Sequence, residues 1–116
     1  MSNSQSFQEA IKLALDIVER FEKIEGKKWG VDGSMIELSK QVGQLSALVM
    51  MQEGYYPTDR DQDHPQYKVS KELIADELAD ILFMIIRIAK LYDIDLEKAH
   101  LDALKEADEY LKSKGV

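Results

Sequence analysis

Apolar residues recur along this chain at helical spacing, in four stretches separated by polar or glycine-bearing segments. Phe7, Ile11, Ala14, Val18 and Phe21 step by three and four, which places them on one face of a helix predicted over about residues 7–25. Ser6 and Glu9 have the spacing of a capping box at its start, and Gly26 supplies a stop. After a loop over 26–33, Ser34 and Glu37 repeat the capping-box spacing and predict a second helix ending near Gly54. Its apolar stripe is Leu38, Val42, Leu45 and Val49. Gly43 sits mid-helix, where glycine costs roughly 1 kcal/mol relative to alanine, so a close approach by another helix is expected there.

Residues 55–69 are polar, contain both prolines and read as an ordered excursion. A third helix is predicted from just after Ser70 to about Tyr92. Its centre, residues 81–86, reads Ile-Leu-Phe-Met-Ile-Ile and is apolar on every side. A helix apolar all round is buried all round. Four helices of this size are too few to surround it, so a subunit interface is expected. Asp95 is a good N-cap for a fourth helix over about 96–113, with Leu101, Leu104 and Leu111 facing inward. Short connections between amphipathic segments predict an all-α, four-helix bundle-like fold, one domain over residues 1–116, completed by dimerisation.

Composition narrows the function. A net charge of −7 and the lack of any Lys/Arg run exclude a phosphate-backbone footprint, so no nucleic-acid partner is expected. No cysteine is present, which removes thiolate metal sites. The most apolar stretch, residues 73–91, is interrupted by Asp76, Glu77, Asp80, Arg87 and Lys90, too many charges for a membrane span. The polar N-terminus lacks a signal peptide's basic and apolar regions, so a cytoplasmic protein is expected.

Two constellations can carry chemistry. Asp76, Glu77 and Asp80 share one sector of the third helix, Glu77 and Asp80 within about 60° of each other. Crowded carboxylates are relieved by a hard divalent cation, which prefers oxygen ligands. The competing reading is a solvated acidic patch in the first turns of a helix, where the macrodipole favours acids. Glu37, Gln41 and Gln44 form a second stripe; Glu37 has the simpler role of closing a capping box with Ser34, and the two glutamines that of a polar flank. The acidic run 59–63 fails as a calcium loop, since His64 and Ser70 stand where Gly and Glu are required. Trp29, the only tryptophan, can stack on a nucleobase or simply pack the mouth of the helices. His64 and His100 have no partner at ligand spacing.

The order of these elements is distinctive. Trp29 precedes a helix reading Met35-Ile-Glu-Leu-Ser-Lys-Gln-Val-Gly-Gln-Leu45; later come Asp76-Glu-Leu-Ala-Asp-Ile-Leu82 and Tyr92-Asp-Ile-Asp-Leu96. Over roughly residues 20–105 this resembles the MazG-like all-α nucleotide pyrophosphohydrolases, which pair Glu-x-x-Glu on one helix with Glu-x-x-Asp on the next, followed by a Gly-Ile-Asp-Leu-like turn. The resemblance implies Mg2+ or Mn2+ as cofactor and hydrolysis of a nucleoside triphosphate to monophosphate and pyrophosphate by a homodimer or tetramer. It places Glu77 and Asp80 on metal ligands, Asp76 on an acidic neighbour, and Gly43 on the first motif's glycine. Lys40, Gln41 and Gln44 stand where the family carries acids. A rearranged site then has Glu37, Glu77 and Asp80 as catalytic metal ligands, with Gln41, Gln44 and Asp76 around them, Lys40 on phosphate and Trp29 on the base. The alternative is a non-catalytic dimeric helical or nucleotide-binding module with a degenerate site.

Overall fold

The computed structural model describes residues 6–57 and 69–116. They form four α-helices and no strand: α1 (Phe7–Glu22), α2 (Val31–Gln52), α3 (Lys71–Leu91) and α4 (Leu96–Ser113). The fold is all-α, as the apolar spacing predicts. The acidic run 59–63, His64 and Pro65 lie outside the described residues. Among the described residues, no helix is long and apolar enough to cross a membrane.

Two helix starts follow the expected capping chemistry. Ser6 Oγ accepts from the Glu9 backbone N–H at 3.1 Å, capping the start of α1, and donates to Glu9 Oε1 at 3.3 Å. Asp95 accepts from the Lys98 N–H at 3.0 Å at the start of α4. The start of α2 differs. Its N-cap is Gly30, without a side-chain hydrogen bond, and Ser34 lies inside the helix, donating its N–H to Gly30 O at 3.1 Å. An N-cap residue must leave the helical conformation, so no Ser34–Glu37 capping box exists here and Glu37 is released for other contacts. α1 also stops earlier than its spacing predicts. The N–H groups of Ile24 and Glu25 both turn back to Phe21 O, at 2.9 and 3.0 Å, and the Glu25 side chain is drawn to Arg87.

The chain folds as two compact units, Met1–Lys28 with Ile86–Val116, and Trp29–Ile85. The core of the first is Ala14 and Val18 of α1 with Ile86 and Ala89 of α3, all buried. Arg87 is buried in the same unit at 4% exposure, and its Nη2 donates to both Glu25 oxygens, at 2.9 and 3.0 Å. Phe7 meets His100 edge to face at 5.8 Å between ring centres. Beyond His100, α4 buries nothing: Leu101, Leu104 and Leu111 are 56%, 53% and 48% exposed. The expectation that these leucines face inward is therefore corrected. α1 holds the start of α4 through Phe7, and the remaining turns present their apolar side to water. Phe21 is likewise exposed, since it falls in the last turn of the shortened α1.

The second unit buries Ser34 of α2 and Met84 of α3. Along the α2 stripe, Leu38 and Leu45 are half-buried while Val42 and Val49 are exposed. The all-round apolar run of α3 is covered on one side only: Met84 and Ile86 are buried, Leu82 and Ile85 exposed. At Gly43, an added Cβ meets nothing within 4 Å among the described residues, so the expected close helix approach is not made by the described chain. Gly43→Ala is accordingly expected to stabilise the isolated chain by about 1 kcal/mol in urea denaturation, through helix propensity alone. A loss of stability instead would show that another copy's helix packs against Gly43.

Candidate functional site

Releasing Glu37 from a capping role leaves its carboxylate on the α2 surface, beside residues three and four positions later. Lys40 Nζ lies 3.0 Å from Glu37 Oε1, and Gln41 Nε2 donates to Glu37 Oε2 at 3.0 Å. Both oxygens of Glu37 are thus engaged by neighbours on its own helix, as the one-turn spacing dictates. The amide of Gln41, turned so that its nitrogen meets Glu37, is left with its carbonyl oxygen pointing elsewhere. That oxygen is shut off from solvent and has no hydrogen-bond partner.

On α3, Glu77 shows the matching feature. Its Oε1 is likewise shut off from solvent and unpartnered. Burial holds the Glu77 carboxyl above its ordinary pKa, the negative charges of Asp80 and Glu37 push it further up, and the Lys40 ammonium pulls against them. Glu77 is thus under the influence of its own helix neighbour and of two charges from α2. Glu37, Lys40, Glu77 and Asp80 share one electrostatic site within the Trp29–Ile85 unit. An unpaired buried acceptor costs about 1–3 kcal/mol, so a donor or a cation reaching either oxygen would be stabilising.

Of the eight residues singled out from sequence, these helices gather Glu37, Lys40, Gln41, Glu77 and Asp80. Gln44 and Asp76 are exposed and make no hydrogen bond or ion pair with the others. Trp29 is half-buried, two residues before the first residue of α2 and in the same unit. Among the described residues, no three His, Cys, Asp or Glu side chains are grouped so that they could hold a metal ion. That is still compatible with Mg2+, which commonly takes one or two carboxylates and leaves its other positions to water and substrate phosphates. The two unpartnered oxygens, one amide and one carboxylate, are hard donors of the type such an ion accepts. Comparison with known proteins finds no matching family model, curated protein or solved structure.

Two structural features went unremarked in the sequence. Ser34 is wholly buried with an unpartnered Oγ, within about 20° of Gln41 on the same side of α2. The other is the Arg87–Glu25 pair. A lone arginine following six apolar residues is a usable signal for it, because such a charge is buried only with a counter-ion.

Proposed function

We propose that this chain is a MazG-like, Mg2+-dependent nucleotide pyrophosphohydrolase with a rearranged first half-site. The observation that carries this reading is that α2 and α3 each hold a shut-off, unpartnered oxygen and that charges on α2 act on Glu77. Gln41 Oε1 and Glu77 Oε1 are both shut off from water without a partner, and Glu77 responds to Asp80 on one side and to Glu37 and Lys40 on the other. A second observation supports it. Asp93 has a left-handed backbone, φ 54°, and the Ile94 N–H reaches Ala89 O at 2.9 Å, so α3 closes in a left-handed turn. The family pattern has glycine at that place, the residue such a conformation favours.

In this reading Glu77 and Asp80 hold the cation, and Gln41 adds a neutral oxygen where the family supplies a charge. The cation, when bound, neutralises phosphate oxygens and lowers the pKa of a water. Asp80 and Glu77 fix its place on α3, Lys40 meets a phosphate as a point charge, and Trp29 contacts the base. Water adds to the α-phosphorus, the α–β bridging bond breaks, and the products are a nucleoside monophosphate and pyrophosphate. A second copy of the chain covers the exposed apolar face of α3 at Leu78, Leu82 and Ile85, giving a dimer or tetramer.

One observation favours the competing reading, a non-catalytic dimeric helical or nucleotide-binding module: both oxygens of Glu37 are already taken by Lys40 and Gln41. A panel of nucleoside triphosphates separates the two. The enzyme reading expects pyrophosphate release that requires Mg2+ or Mn2+ and disappears with EDTA. Absence of release from every triphosphate at millimolar metal leaves the binding module.

A further inference from the structure

A cavity of about 230 Å3 lies in the unit formed by Met1–Lys28 and Ile86–Val116, and none of the candidate-site residues lines it. Two helix strips make its walls. On α1, Ile11, Lys12 and Leu15 fall on one side of the helix, and on α3, Ile86, Ala89 and Lys90 do the same. Each helix thus supplies two apolar side chains and one lysine. Ile86 and Ala89 are buried, Ile11 and Leu15 half-buried, and Lys12 exposed, so the cavity has an apolar floor and reaches the surface at Lys12. It is larger than the roughly 150 Å3 apolar cavity that takes up benzene, and smaller than the ~300–1,000 Å3 sites of drug-sized ligands.

The charges around it are not equivalent. Lys90 Nζ has two acids within reach, Glu19 Oε1 and Glu22 Oε1, each at 3.7 Å. Asp95 is engaged as the cap of α4, accepting from the Lys98 N–H. Glu97 stands in the first turn of α4, where the helix dipole favours an acid. Lys12 has no such compensation: it sits within α1, away from its ends, and makes no hydrogen bond or ion pair among the described residues. We infer that this cavity binds a compact apolar monocarboxylate, its hydrocarbon or aryl body against Ile11, Leu15, Ile86 and Ala89 and its carboxylate paired with Lys12. Removing the apolar body and the cavity floor from water supplies most of the affinity. The pair with an exposed lysine adds a smaller increment and sets the sign of the charge that is accepted. The site shares no residue with the proposed hydrolytic site, so neither stands or falls with the other.

The test is a heteronuclear NMR titration of the full chain with phenylacetate and with phenylacetamide, which keeps the ring and lacks the charge. Wild type is compared with Lys12→Met. Lys105→Met controls for net charge, because Lys105 is exposed on α4 and does not line the cavity. Circular dichroism checks that each variant keeps its helices. Phenylacetate is expected to shift the amide signals of residues 11–15 and 86–90. It should bind about three- to fivefold more tightly than phenylacetamide in wild type and in Lys105→Met, the factor an exposed ion pair supplies. Lys12→Met should bind the two compounds equally, with the affinity of wild type for phenylacetamide. A preference for phenylacetate that survives Lys12→Met, or equal binding of acid and amide by wild type, overturns the inference. So does the absence of any shift in these two segments at millimolar phenylacetate.

Discussion

Under the proposed function, Glu77→Gln is expected to lower pyrophosphate release by at least about 100-fold while raising the melting temperature at pH 7. The two effects have opposite signs because they draw on the same charge. In the proposed function the bound ion supplies several kcal/mol of charge stabilisation during phosphoanhydride cleavage, which is lost when Glu77 no longer holds it, and each 1.36 kcal/mol is a factor of ten in rate. Without the cation the same carboxylate is a burden on the fold. Burial, Asp80 and Glu37 together outweigh Lys40 and raise its pKa above the ordinary 4.5. The folded chain therefore holds that proton over a pH window in which the unfolded chain has lost it. Stability falls as pH rises from about 4.5 through this window, since the folded state binds more protons there. Glutamine carries no charge, so the variant should show a flatter stability profile across that window and a higher plateau above it. Urea denaturation at a series of pH values in EDTA checks the profile. A variant less stable than wild type at neutral pH contradicts it.

The largest loss of stability is expected in the unit that holds Glu25 and Arg87. Glu25→Ala leaves the Arg87 guanidinium without its carboxylate, in a place where the Arg87 side chain is 5% exposed. Removing one partner of a buried ion pair typically costs about 3–5 kcal/mol, because the remaining charge stays desolvated. About 3 kcal/mol is expected here, at the low end because Arg87 keeps a further contact. For a domain of this size that lowers the melting temperature by roughly 10–20 °C. Replacing both partners by apolar residues, Glu25→Leu with Arg87→Met, should recover most of the loss, since no buried charge is left behind. Thermal melts of the single and double variants at neutral pH decide this. A single-variant loss below about 1 kcal/mol would mean that Arg87's remaining contact or water compensates its charge without Glu25.

These two sites also show how far local sequence rules reach. The helices were legible because their signals are local: Ser6 with Glu9, Asp95 at the head of α4, and apolar steps of three and four. The same rules failed at Ser34 because capping-box spacing does not say which turn is first. Asp32 supplies the acid of the first turn, and Gly30 serves as N-cap from outside the pattern. The inward placement of Leu101, Leu104 and Leu111 was not legible from amphipathicity, which marks a face as apolar without naming its partner. At the candidate site, the spacing of Glu77 and Asp80 put two acids on one sector of α3. It could not show that Glu37 would turn to Lys40 and Gln41, because that depends on the helix starting three residues before Ser34. Arg87 was visible as a charge in an apolar run, but its partner lies 62 residues earlier, beyond any local pattern.

The most direct measurement is thermal melting of the wild-type chain and of Glu77→Gln, each with EDTA and with millimolar Mg2+ or Mn2+. An ion that binds only the folded state at about ten times its Kd adds ~1.4 kcal/mol, a rise of several degrees. The expected result is such a rise in wild type and none in Glu77→Gln. No rise in wild type, or an equal rise in both, would contradict a cation site shared by α2 and α3.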